Sequence, residues 1–170
     1  MLEVDMKTLK NRHLIALFFL FGNQLTNCMD LSSAAENLRI LQDKINKELE
    51  NAVYMEKKDV VQVLLQLGAN PNTELANKKS SGWTALHYAA TTTNSEIINQ
   101  LLKHKANVSA KGKLNNTPLH IAAIHGNTDT VQMLLEAGAD PKLKNSKGLT
   151  PIDLAQQNGN TELAKLMQPQ

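Results

Sequence analysis

Residue types in this chain recur at an interval of 33. Thr84, Thr117 and Thr150 are 33 apart, His87 and His120 repeat at the same interval, and so do the pairs Ala89-Ala90 and Ala122-Ala123. A recurrence kept in register at so many positions restricts the chain to stacked supersecondary units. The unit reads most clearly over Leu114–Asp140, LNNTPLHIAAIHGNTDTVQMLLEAGAD. Thr117 is a favoured N-cap, and Pro118 suits the first helical position, where its missing N–H would be unpaired anyway. Leu119, Ile121, Ala122 and Ala123 predict a short helix that Gly126 ends. Thr128 and Asp129 open a second helix, with the acid at the positive end of the dipole. Val131, Met133, Leu134 and Leu135 are its predicted buried face, and Gly138 supplies a left-handed terminator. Two helices this short cannot bury their apolar faces alone, so each unit needs neighbours.

The T-P-L-H and G-A-D signatures within a 33-residue helix–turn–helix period resemble the ankyrin repeat. The resemblance implies an all-α fold: a solenoid of four helix–turn–helix repeats over residues 45–168, with degenerate terminal repeats. The first repeat, about 44–72, lacks T-P-L-H; Leu49, Ala52, Val53, Val60, Val61, Leu64 and Leu65 are its expected core. From Leu64 to Leu101 is 37 positions (101−64), so the connection TELANKKSS holds four extra residues. It reads as a surface insertion or a longer finger reaching a partner. In the second repeat Thr93 and Lys105 stand where the third has Gly126 and Gly138. Both are expected to be strained left-handed residues. In the fourth, Asp153 replaces the motif histidine and Pro169 stops the last helix.

Residues 1–27 read as a leader. Lys7, Lys10, Arg12 and His13 precede the apolar run Leu14–Phe21, LIALFFLF, which is the layout of a secretory signal peptide. The alternative is a buried first helix of the domain. Leu25-Thr26-Asn27-Cys28 resembles the bacterial lipobox, although Asn27 departs from the small residue usual before the cysteine. The lone cysteine excludes an internal disulfide, and its place makes Cys28 the candidate for acylation. Residues 28–44 are expected to form a linker and an N-terminal capping helix, opened by Ser33 and Glu36 at capping-box spacing. That helix either shields the open end of the stack or runs on into the next one.

Chemistry is sparse. No ligand cluster, phosphate loop or glycine-flanked serine is evident, so neither a catalytic site, a metal nor a cofactor is expected. The resemblance implies a structural role for Thr84, His87, Thr117, His120 and Thr150, the histidines bonding adjacent loops together. A net charge of +2 gives no electrostatic case for nucleic acid. With 42% apolar residues but only 4% aromatics, the chain suits close-stacked helices. A monomer is expected. The resemblance implies a non-catalytic adaptor whose concave face binds a partner protein. Carried over by position, that face takes Tyr54 and Met55 from the first repeat and Trp83, Thr91 and Thr92 from the second. The third supplies Lys113, Leu114, Asn116, Ile124 and His125, and the fourth Lys147, Leu149, Gln157 and Asn158. Lysines recur at the junctions (Lys78, Lys79, Lys111, Lys113, Lys142, Lys144, Lys147) and should form a basic stripe or simply a solvated face. The expected setting is the bacterial cell envelope, periplasmic or lipid-anchored; the alternative is a secreted effector that binds a host protein.

Overall fold

The computed structural model describes residues 31–74 and 82–168, which contain eight α-helices and no strand. In chain order they are α1 (Leu31–Tyr54), α2 (Lys58–Gln66), α3 (Ala85–Ala89), α4 (Ser95–Lys103), α5 (Pro118–His125), α6 (Thr128–Glu136), α7 (Pro151–Gln157) and α8 (Thr161–Leu166). The inner helices α1, α3, α5 and α7 pack in succession; α2, α4 and α6 form the outer row, and α8 pairs with α7. A single core runs through the stack. Leu49 and Val53 meet Leu86 and Ala90, then Leu119 and Ala123, then Ala155, with Val61, Ile98, Leu101, Val131, Leu134 and Leu163 behind them. Small alanines on the inner row let the helices approach closely, as the composition required.

The structure decides three expectations. Of the two alternatives for the stretch before the first repeat, the continuous one holds: α1 is one helix of 24 residues, because no glycine or proline interrupts it, and there is no separate cap. Nor does its first half shield the stack, since every side chain described from 35 to 41 is exposed. Val60 is exposed, not core; Val61 and Leu65 take the buried face of α2, with Leu64 packed beside them. α2 packs on α1 and, on one side only, on α4, so the edge that carries Val60 has no helix against it among the described residues.

The third concerns Thr93. Gly126 and Gly159 are left-handed at this repeat position, and so is Glu56 (φ 53°), but Thr93 is not among the positive-φ residues. A β-branched residue resists that conformation, so the second repeat changes shape instead. Its inner helix stops at Ala89, and the hydroxyls of Thr91 and Thr92 donate to the carbonyls of Tyr88 and Ala89 (2.8 and 3.0 Å). Lys105 does take the left-handed turn (φ 63°), where Gly68 and Gly138 stand in neighbouring repeats. We therefore expect Lys105→Gly to stabilise the protein by up to about 1 kcal/mol, read as a higher melting temperature. A lower melting temperature would show that the added freedom of the unfolded chain outweighs the relieved strain.

Candidate functional site

Each full repeat opens with a threonine N-cap whose partner lies three residues on. His87 Nδ1 lies 3.1 Å from the Thr84 backbone N, and His120 Nδ1 lies 3.1 Å from that of Thr117. An N–H can only donate, so Nδ1 accepts and the proton sits on Nε2. That proton reaches across the repeat boundary. His87 Nε2 donates to the Asn116 carbonyl (3.0 Å) and His120 Nε2 to the Leu149 carbonyl (3.2 Å). Thr84, His87, Thr117 and His120 are all buried. In the last repeat Asp153 Oδ2 accepts from both the N–H and the hydroxyl of Thr150 at 2.8 Å.

Burial lowers the affinity of both rings for a proton, against the opposing pull of nearby carbonyls: Asn116 and Ala110 for His87, Leu149 and Leu143 for His120. Protonating Nδ1 would also expel the threonine N–H. The folded rings therefore stay neutral below the ordinary value of 6.5, where unfolded histidines take up protons. Acid then favours the unfolded chain. Stability should fall as pH drops below about 6.5, by up to about 1.4 kcal/mol per pH unit per ring until the folded pKa is reached. Melts between pH 8 and pH 5 check this.

The finger loops stand on these bridges. Gly112 is buried, and a Cβ there would come within 2.9 Å of Trp83 Cδ1 and 3.0 Å of His87 Nε2. The third finger turns over Leu114 and Asn115, both left-handed (φ 61° and 55°), and Leu114 is 48% exposed. Its carbonyl accepts from Ser146 N of the next finger (2.8 Å), and Asn145 Nδ2 donates to Asn116 Oδ1 (2.8 Å). The two fingers are thus fixed to each other.

The residues assigned to the concave face fall into two groups. Tyr54 and Met55 are 66% and 62% exposed, and His125, Lys113, Lys147, Gln157 and Asn158 are exposed too. Ile124, Leu149, Asn116, Thr91, Thr92 and Trp83 are half-buried. Trp83 stacks on His87 (5.9 Å between centroids) and meets Tyr88 edge-on at 5.0 Å; Tyr88 in turn meets Tyr54 edge-on at 5.9 Å. These rings form a ladder from the first repeat into the second. The buried Trp83 Nε1 has no partner among the described residues. Asn116 and Leu149 offer their carbonyls to the histidines, so they hold the fold as well as facing the groove. Of the lysine stripe, Lys111, Lys113, Lys142, Lys144 and Lys147 are exposed, whereas Lys78 and Lys79 lie outside the described residues with most of the insertion.

Sequence reasoning missed the asparagines. Asn127 Nδ2 donates to the carbonyls of Ala90 and Thr92, and Asn160 Nδ2 to that of Ala123, tying each outer helix to the preceding inner one. Asn72 takes the N–H of Asn107 and donates to the Lys105 carbonyl. The signal was present: Asn94, Asn127 and Asn160 recur at the same interval of 33.

A cleft lined by Thr93, Gly126 and Thr128–Thr130 holds about 200 Å³, below the roughly 300 Å³ at which small-molecule sites begin. Among the described residues no group of three or more His, Cys, Asp or Glu side chains is placed to hold a metal, and no helix is long and apolar enough to cross a membrane. The family model described as ankyrin repeats matches the chain in three copies, over residues 10–112, 49–145 and 110–170. No curated protein matches it.

Proposed function

The chain belongs to the ankyrin repeat family, a family of protein-interaction modules, and from that premise we propose that it binds a partner protein across its inner helices and finger tips, and that it is exported and lipid-anchored at Cys28. The observation that carries the first part is the exposure of Tyr54, Met55 and Leu114, which the repeat register assigns to inner-helix ends and finger tips. Large apolar side chains grouped on a surface are the usual mark of a contact site. Leu114 adds a second argument: a leucine held left-handed at an exposed tip is strained by about 1 kcal/mol or more, and strain of this kind gathers at binding sites. The lysines around the fingers supply a rim that steers an acidic partner.

For a partner captured with this chain, Tyr54→Ser and Ile124→Ser should each weaken binding by about tenfold or more, the order seen for central apolar anchors. Charge reversal of Lys113 and Lys147 should slow association and make it less sensitive to salt. Trp83 is unsuited to this test, because its ring is built into the His87 bridge. Folded Tyr54→Ser and Ile124→Ser proteins with unchanged affinity would move the site elsewhere.

The export part rests on residues outside the described ones: the basic segment to Arg12, the apolar run Leu14–Phe21 and the lone cysteine. Acylation with two or more chains is enough for stable anchoring, where one is marginal. Labelled palmitate should enter the wild-type protein and be absent from Cys28→Ala, which should leave the membrane fraction. The first family match opens at residue 10, within this stretch. A mature N-terminus upstream of Leu14 would therefore assign the apolar run to the repeat domain instead.

A further inference from the structure

The open N-terminal end of the stack carries an apolar face that nothing in the described chain covers. On α2, Lys58 reaches toward the second repeat and bonds Glu96 of α4 at 3.0 Å. By helical spacing Val60, Val63 and Leu67 lie on the opposite edge, turned away from that repeat. They are 44%, 53% and 55% exposed. On α1 the corresponding edge holds Leu41 (48% exposed) and the half-buried Ile45, with Leu38 (40%) one turn before Leu41. Gln42 Nε2 bonds the Gly68 carbonyl (3.0 Å), which sets this part of α1 beside the end of α2 and makes the two edges one face. The opposite end of the solenoid exposes only Leu166 among its described large apolar side chains. A solenoid end normally needs a polar outer face to stay soluble.

We propose that this face is the contact surface of a two-fold dimer of the chain, in place of the monomer expected from sequence. Two observations select a second copy as the occupant. The first is composition. Leu38, Leu41, Val60, Val63 and Leu67, on two adjoining helices, are each 40% to 55% exposed, a row of large apolar side chains of the kind that fills the core of an interface between copies. The second is charge. Leu41, Lys44, Ile45 and Glu48 follow helical spacing on one side of α1, and neither Lys44 nor Glu48 has an ion-pair partner among the described residues. A face carrying both signs one turn apart complements itself when two copies meet antiparallel. Lys44 of each copy then lies against Glu48 of the other, as a closed isologous contact requires.

The test is sedimentation velocity of the full chain at increasing concentration into the high-micromolar range, beside circular dichroism of every variant. The wild type should dimerise. Leu41→Glu combined with Val63→Glu should be monomeric with unchanged helicity, since both side chains are exposed, while Leu166→Glu should still dimerise. Lys44→Glu should weaken the dimer by about tenfold or more by setting like charges against each other. The exchange Lys44→Glu with Glu48→Lys should restore it. A wild type that stays monomeric overturns the proposal. So does a dimer that survives Leu41→Glu with Val63→Glu, because its contact would then lie elsewhere, for instance in the apolar run Leu14–Phe21. A Lys44→Glu dimer that the exchange does not rescue removes the antiparallel arrangement.

Discussion

A neutral histidine between two backbones sets the spacing of this molecule. His87 accepts the N–H that opens its own repeat and donates to the carbonyl of Asn116, which precedes the opening of the next. His120 repeats the arrangement toward Leu149. Only a side chain with a donor and an acceptor on opposite edges of a rigid ring can do both at once. Neutrality is what makes the burial tolerable, since a charged ring in this place would lack a counter-ion. Everything on the finger side follows from that bridge. Gly112 lacks a side chain because the ring and Trp83 occupy its space. Leu114 is held at a tip whose carbonyl and flanking asparagine are already bonded to the next finger.

The turns between helices show two answers to one steric problem. Where the repeat geometry asks for a left-handed residue and glycine is absent, Glu56 and Lys105 simply adopt it. Both are unbranched at Cβ and tolerate the strain. Thr93 does not, and the second repeat loses the end of its inner helix; the carbonyls of Tyr88 and Ala89 take both the N–H and the hydroxyl of Thr91 and Thr92 respectively. The same substitution pattern thus produces strain at one turn and a rebuilt turn at another, decided by branching at a single carbon.

The stack, its period and the histidine bridges were legible because each repeat supplies its own local signals: a threonine cap, a partner three residues on, small residues inside. The asparagines at 94, 127 and 160 also recur in register, but only Asn127 and Asn160 tie to distant carbonyls while Asn94 caps its own helix, and such bonds leave no mark in hydrophobic periodicity. What sequence could not give was the ends. Val60 carries the same apolar signature as Val61, and only knowing which side of α2 has a neighbour separates core from surface. The length of α1 was open for a related reason. Nothing between Leu38 and Leu49 breaks a helix, yet nothing in those residues says whether the helix is covered. Of the residues proposed for the concave face, Trp83, Asn116 and Leu149 also serve the bridges, which the register alone did not reveal. That double use makes Tyr54, Ile124 and Leu114 the cleaner members of the face.

The bridges run in one direction, and the two ends differ. Each histidine bonds a carbonyl of the repeat that follows, and in the fourth repeat an acid stands in its place. Asp153 accepts from the N–H and the hydroxyl of Thr150, which hold its carboxyl below the usual carboxylate range, and it presents no outward donor. At the N-terminal end the first repeat gives its Asn70 N–H to the buried Asn46 and its Gly68 carbonyl to Gln42, both on α1. With those groups satisfied internally, what remains at that end is the apolar edge of α1 and α2. Asp153 serves its own threonine with a single side chain, whereas an apolar edge made by two helices is relieved only by another surface.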